Sequence, residues 1–109
     1  MAPSQNGRRV LFQELTEFVH NAPKVTVEFF GMPRQRAGRA QLIVRARKIA
    51  ELLALVKQAC PGLADLTHED GKLARHYLLS INGNGFVGDG QQTLEPGMHV
   101  LLLSADAGG

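Results

Sequence analysis

A chain of 109 residues with 44% hydrophobic content has room for one modest core and not for two, and none of its apolar runs is long enough to cross a membrane. A net charge of +2 is too slight a bias to point to nucleic acid. Cys60 is the one cysteine and cannot close an internal disulfide, so nothing asks for an oxidising compartment.

Met1 to Gly7 is polar and is read as disordered. The apolar residues after Arg8-Arg9 are interrupted by Gln13, Glu14 and Glu17, which is not the layout of a secretory signal; a cytoplasmic location is expected. From Val10 to His20, the residues Leu11, Phe12, Leu15, Phe18 and Val19 fall on one side of a helical wheel, predicting a short amphipathic helix that Asn21-Ala22-Pro23 stops. Lys24 to Phe30 alternates, with Val25, Val27 and Phe29 on one face, the period of a half-buried strand. Gly31 to Arg39 holds two Gly, one Pro and three Arg and reads as a polar hairpin loop. The alternation resumes over Ala40 to Ala46, so the two strands are expected to pair antiparallel.

Ile49, Leu52, Leu53, Val56 and Cys60 make one stripe of a helix, ended by Pro61-Gly62. Leu63 to His76 is irregular and charged, with a short helical turn expected at Leu63 to Leu66. Tyr77 to Ile81 is a strand with Leu79 and Ile81 inward, followed by the turn signal Asn82-Gly83. Phe86-Val87 reads as a short strand, Gln91 to Gly97 as a turn-rich connection and Met98 to Leu103 as the last strand. A hairpin, a helix across one sheet face and a return to the sheet make an α+β roll. If the last strand lies parallel beside the first, the helix covers one face and leaves the other open to a partner. On that face Phe30, Ile43 and Leu101 or Leu103 would form an apolar patch, unless the N-terminal helix covers it.

The sequence closes on Ser104-Ala105-Asp106-Ala107-Gly108-Gly109. Glycine carries no Cβ, so the last peptide units fit a channel too narrow for other residues. Six extended residues reach about 20 Å, enough to carry a terminal carboxylate into a partner's active site. Three other features are set aside. Gly83-Asn84-Gly85-Phe86-Val87-Gly88 has the spacing of a dinucleotide loop, but Asp89-Gly90-Gln91-Gln92 follows it where that fingerprint needs a helix. Arg34, Arg36, Arg39, Arg45, Arg47 and Lys48 put six positive charges between residues 34 and 48 with no acid among them. Without interleaved aromatic residues to stack on bases, they read as a solvated hairpin rather than an RNA site; Arg36 and Arg45 are kept as candidates for a partner surface. Cys60 reads as a core residue, and His20, His68, His76 and His99 lack metal-ligand spacing, so no metal is assigned.

Val25-Thr26-Val27-Glu28-Phe29-Phe30-Gly31, Cys60-Pro61-Gly62-Leu63, Ile81-Asn82-Gly83, Leu94-Glu95-Pro96-Gly97 and the final Gly108-Gly109, in that order, resemble the ubiquitin-like β-grasp sulfur carriers of the MoaD/ThiS family over residues 24 to 109. The resemblance implies a mixed sheet of four to five strands with one crossing helix, here with an added N-terminal helix. The chain then divides into an extension over 1–23, a β-grasp domain over 24–103 and a tail over 104–109. It implies a carrier rather than an enzyme: an ATP-dependent activating enzyme adenylates the terminal carboxylate, on Gly109 here, sulfur replaces an oxygen, and the thiocarboxylate donates sulfide to a synthase subunit in cofactor biosynthesis of the molybdopterin or thiamine type. Gly108 supplies clearance, with Ala107 and Asp106 leading into the partner's channel. Asp106 would be repelled by an acidic channel, so a neutral or basic entrance is expected. A ubiquitin-like modifier conjugated through Gly109 uses the same acyl-adenylate, and a β-grasp interaction module with a basic hairpin is the further alternative. The chain itself is expected to bind no cofactor.

Overall fold

In a computed structural model that describes residues 21–87 and 90–105, the chain order is β1 (Lys24–Phe29), α1 (Met32–Ala37), β2 (Gln41–Arg45), α2 (Ile49–Ala59), a 3-10 turn (Pro61–Leu63), β3 (Tyr77–Ile81) and β4 (His99–Ser104). The strands form one mixed sheet in the order β2-β1-β4-β3. β1 pairs antiparallel with β2 and parallel with β4, and β3 pairs antiparallel with β4. The expected parallel first and last strands are therefore the two central ones. The helix expected over Val10 to His20 and residues Asp106 to Gly109 lie outside the described residues.

The alternation in sequence becomes the two faces of the sheet. Val25, Val27 and Phe29 of β1, Val44 of β2, Leu79 and Ile81 of β3 and Val100 and Leu102 of β4 are buried on one face. Ile49, Leu52, Leu53 and Val56 of α2 pack against them, and Cys60, Leu63, Leu66 and Leu94 close the ends of the same core. Cys60 is thus the core residue its place on the stripe predicts, and burial pushes its thiol pKa up.

The loop between β2 and α2 and the chain before β4 hold the start of α2. The Ile49 and Ala50 N–H groups donate to the carbonyls of Gln92 and Gly90, at 3.1 and 2.9 Å, and the Glu51 carboxylate accepts the Arg47 N–H at 2.9 Å. Donors that a helix start leaves without intrahelical partners are met in this way. This explains why the turn-rich segment Gln91 to Gly97 has a fixed course.

The structure departs from expectation in the connection between β1 and β2, which contains a helix and is not a loop throughout. Pro33 sits in the first turn of α1, where a missing N–H costs nothing. Gly38 ends the helix at φ +74, its N–H bonded to the Arg34 carbonyl at 3.0 Å, the left-handed stop that a residue without Cβ takes most easily. Two smaller differences follow. The helical turn after α2 starts earlier than expected, at Pro61–Leu63, and continues through the expected Leu63 to Leu66, where the Leu66 N–H donates to the Leu63 carbonyl at 3.0 Å; Phe86-Val87 pairs with β3 only as a bridge from Phe86 to Ser80 and a Val87 N–H to Leu79 carbonyl bond of 2.7 Å.

Candidate functional site

Register fixes what the other face of the sheet presents. Thr26 and Glu28 of β1 stand beside His99 and Leu101 of β4, Ile43 of β2 lies across from Thr26, and Leu78 and Ser80 of β3 lie across from Leu103 and Leu101. The Phe30 N–H donates to the Leu102 carbonyl at 3.0 Å, which sets Phe30 next to Leu103. No described helix covers this side. Phe30 is 45% exposed and Ile43 53%, while Leu78, Leu101 and Leu103 are half-buried.

Of the expected apolar residues, Phe30, Leu101 and Leu103 come together with Leu78 at the end of the sheet where β4 finishes. Ile43 sits apart on the edge strand. Between the two lies a polar pair, His99 Nε2 and Glu28 Oε1 at 2.6 Å. The face is thus divided: an apolar half lies beside the chain's exit toward Asp106-Ala107-Gly108-Gly109, and a polar half lies away from it. Leu78 and the exposed Phe86 ring, bridged to Ser80, were not singled out from the sequence. The turn signal Asn82-Gly83 carries the information for Phe86, because it folds the chain back so that Phe86 bridges to Ser80.

The exit itself is anchored. Ser104, buried, is registered with Tyr77, and the Ala105 N–H donates to the His76 carbonyl at 2.9 Å. Beside this point three elements converge on Asp65. Its Oδ1 accepts the Tyr77 hydroxyl at 2.6 Å, and its Oδ2 meets Arg36 Nη1 at 2.8 Å and His76 Nε2 at 3.0 Å. Arg36 Nη1 also reaches the Tyr77 hydroxyl at 3.0 Å. Arg36, expected on a partner surface, is in α1 and clasps that helix to β3 and to the segment after α2. Arg45 lies on β2, with Nη1 3.2 Å from the Ala22 carbonyl.

The cluster stabilises the ionised Asp65. Chiefly the Tyr77 hydroxyl, then His76 and Arg36, bring its carboxyl pKa down to about 2 from 3.8 against the opposing effect of desolvation. Burial first, and the Asp65 bond second, raise the Tyr77 phenol. Because the folded pKa of Asp65 is the lower one, its contribution is complete above pH 3.8 and is lost as pH falls through about 2. The Asp65 side chain is 47% exposed, so solvent screening leaves about 1 kcal/mol of the linked stability. Carboxyl-carbon NMR titration is expected to place the Asp65 midpoint near 2, and an ordinary midpoint would mean that the clasp is open in solution.

Among the described residues no group of His, Cys, Asp and Glu is arranged to hold a metal ion, and no helix is long and apolar enough to cross a membrane. No helix follows the described glycines Gly83 and Gly85, which lie in turns, so the spacing of a dinucleotide loop is accounted for by tight backbone.

No protein-family model and no curated protein matches the sequence. Solved structures do match the fold. Small archaeal modifier protein 1 from Methanosarcina acetivorans superposes with a TM-score of 0.68 at 23% identity, covering 80% of this chain and 97% of that one. A chain in the crystal structure of the Amycolatopsis orientalis BexX/CysO complex matches with a TM-score of 0.66 at 26% identity, over 78% of this chain and 99% of that one. A Pyrococcus furiosus protein provisionally described as molybdopterin converting factor, subunit 1, matches with a TM-score of 0.62 at 22% identity, over 76% and 98%. The chain therefore has a ubiquitin-like β-grasp fold, and its resemblance to the MoaD/ThiS carriers is borne out at the level of that fold.

Proposed function

We propose that this chain is a sulfur carrier whose reactive group is the carboxylate of Gly109. The observation that supports the reading most directly is the division of the open sheet face. Its apolar half lies where β4 ends, and in the sequence only Ala105, Asp106 and Ala107 separate buried Ser104 from Gly108-Gly109. A partner that docks on Phe30, Leu78, Leu101 and Leu103 would then have the Gly-Gly end within about 17 Å of the anchored strand.

The chemistry follows from the electrophile. A carboxylate is a poor acyl donor until it carries a good leaving group. In the proposed cycle the Gly109 carboxylate attacks the α-phosphorus of ATP in an activating enzyme and releases pyrophosphate. A sulfide-equivalent nucleophile then adds to the acyl carbon and expels AMP, leaving a thiocarboxylate that a synthase partner in cofactor biosynthesis of the molybdopterin or thiamine type consumes. The groups that bind ATP and deliver sulfur belong to those partners, and this chain supplies the docking face, the reach and the clearance. A cytoplasmic location, where ATP is available, fits this chemistry.

Intact mass spectrometry after incubation with a cognate activating enzyme, ATP and a sulfur donor is expected to show one oxygen-to-sulfur exchange. An unchanged mass, with an enzyme that forms the acyl-adenylate on another carrier, would count against the assignment. A second reading has a specific support in the fold shared with the Methanosarcina acetivorans modifier protein: conjugation of Gly109 to lysine side chains. Lysine-linked adducts that vanish on deletion of Gly109, without thiocarboxylate formation, would select it.

A further inference from the structure

We infer that Asp65 is a positioning residue for the reaction at Gly109: through His76 and Tyr77 it fixes the last strand bond before the tail, and so sets how far and in which direction the terminal carboxylate reaches. Asp65 acts through its neighbours and not on the reacting atoms, and the role assigned to it rests on the carrier reading proposed for the chain.

The bond in question joins the Ala105 N–H to the His76 carbonyl at 2.9 Å. It extends the ladder of β3 and β4 one step beyond the pair of Tyr77 and Ser104, and the outermost bond of a ladder frays unless something ties it down. The carbonyl belongs to the peptide unit between His76 and Tyr77, and the side chains on both sides of that unit end on one carboxylate. His76 Nε2 meets Asp65 Oδ2 at 3.0 Å, and the Tyr77 hydroxyl donates to Oδ1 at 2.6 Å. The two rings also pack on each other, with centroids 4.3 Å apart. With both flanking side chains held, the peptide plane cannot turn its oxygen away from Ala105 without breaking a contact to Asp65.

Asp65 can serve as a fixed point because its own backbone is held from the core. It lies between Leu63 and Leu66, both fully buried, in a turn closed by the bond from the Leu66 N–H to the Leu63 carbonyl at 3.0 Å. The Ala74 N–H donates to the Leu66 carbonyl at 2.8 Å and the Tyr77 N–H to the Ala74 carbonyl at 3.1 Å, which ties the turn to the start of β3. Arg36 braces the carboxylate from α1, with Nη1 2.8 Å from Oδ2 and 3.0 Å from the Tyr77 hydroxyl. An ionised acceptor makes each of these bonds stronger than a neutral one would.

Length makes the anchored bond matter to the chemistry. Four residues follow Ala105, an extended span of about 14 Å, and releasing Ala105 adds about 3.4 Å of slack at the base of that arm. A loose base spreads the carboxylate over a range of positions, whereas a misplacement of about 1 Å at a reacting atom can lose about a hundredfold in rate. Docking is a separate matter, because Phe30, Leu78, Leu101 and Leu103 stand on the open sheet face and Asp65 lies in the turn after α2. Loss of Asp65 should therefore appear in turnover and not in affinity.

The test measures ATP–pyrophosphate exchange with the full chain and its activating enzyme, together with amide hydrogen exchange on the free chain. Asp65→Ala should lower kcat about tenfold or more while KM for the chain changes by less than about twofold. Its Ala105 amide should lose protection, while the Phe30 amide, bonded to the Leu102 carbonyl within the sheet, keeps it. His76→Ala should give the same split, and His76→Gln, whose amide nitrogen takes the place of Nε2, should recover most of the loss; this pair serves if Asp65→Ala fails to fold. A rise in KM with kcat unchanged, an Ala105 amide equally protected in Asp65→Ala, or a His76→Gln chain no better than His76→Ala would overturn the positioning role. No exchange with the unaltered chain, from an enzyme active on another carrier, would remove the carrier reading and this role with it, whereas an active unaltered chain with an unimpaired Asp65→Ala variant would remove the role alone.

Discussion

Gly62→Ala is expected to cost about 3 kcal/mol of folding stability, at the upper end of what overpacking in a filled interior costs, and to lower the urea midpoint without changing the slope. A Cβ at position 62 would overlap the carbonyl oxygen of Arg36. That contact is backbone against backbone, so no side-chain rotation relieves it, and either α1 or the turn at Pro61–Leu63 must shift. The consequence reaches the tail exit. Arg36 holds α1 to Asp65 and Tyr77, and Tyr77 is the strand partner of Ser104. Displacing α1 should therefore also raise the Asp65 pKa from about 2 toward its ordinary value. Gly38→Ala is the control that separates space from conformation. Position 38 has a positive φ with nothing within 4 Å of an added Cβ, so its cost is the backbone term alone, about 1 kcal/mol. If Gly62→Ala costs no more than Gly38→Ala, α1 is not seated on the turn as described.

The same glycine shows where sequence reading reaches its limit. Pro61-Gly62 is legible as a helix stop, because both residues break helices for local reasons. The need for glycine at position 62, however, comes from a carbonyl 26 residues earlier in the chain, and no local pattern carries that. Strands β1 to β4 were legible because period-2 alternation is itself the burial pattern: Val25, Val27 and Phe29 are buried as their spacing requires. α1 was missed for an instructive reason. Only Pro33 is buried in it, so there is no apolar stripe to find, and the proline and glycine that suggested a loop are the residues that start and stop a short helix. The Asp65 cluster was equally invisible, with Arg36 separated from Asp65 by 29 positions and from Tyr77 by 41. For the candidate site the division is similar. Alternation alone places Phe30, Leu101 and Leu103 on the outer face, but it says nothing of the His99–Glu28 pair that divides the face and leaves Ile43 on the other side.

Binding and chemistry should come apart when the two ends of the candidate site are altered separately. Leu103→Asp puts a charge into the apolar half of the open face, where Leu103 stands opposite Leu78 and next to Phe30. Loss of one buried leucine contact is worth about 2 kcal/mol, and burying an unpaired carboxylate adds to it. Affinity for the activating enzyme is therefore expected to fall by about a hundredfold, while far-UV circular dichroism stays unchanged because the side chain is half-buried and outside the core. Deletion of Gly109 should do the opposite. The docking face is intact, so affinity changes little, but the carboxylate now sits on Gly108, one residue short of the reacting phosphorus, and no acyl-adenylate forms. Geometry sets the size of this effect: one extended residue is about 3.4 Å, and a reacting atom displaced by even about 1 Å can lose about a hundredfold in rate. Titration calorimetry and pyrophosphate release, measured on the same two variants, give the comparison. A Leu103→Asp chain that binds normally would remove the docking role of the apolar half, and a Gly109 deletion that still releases pyrophosphate would move the reactive carboxylate off the residue assigned to it.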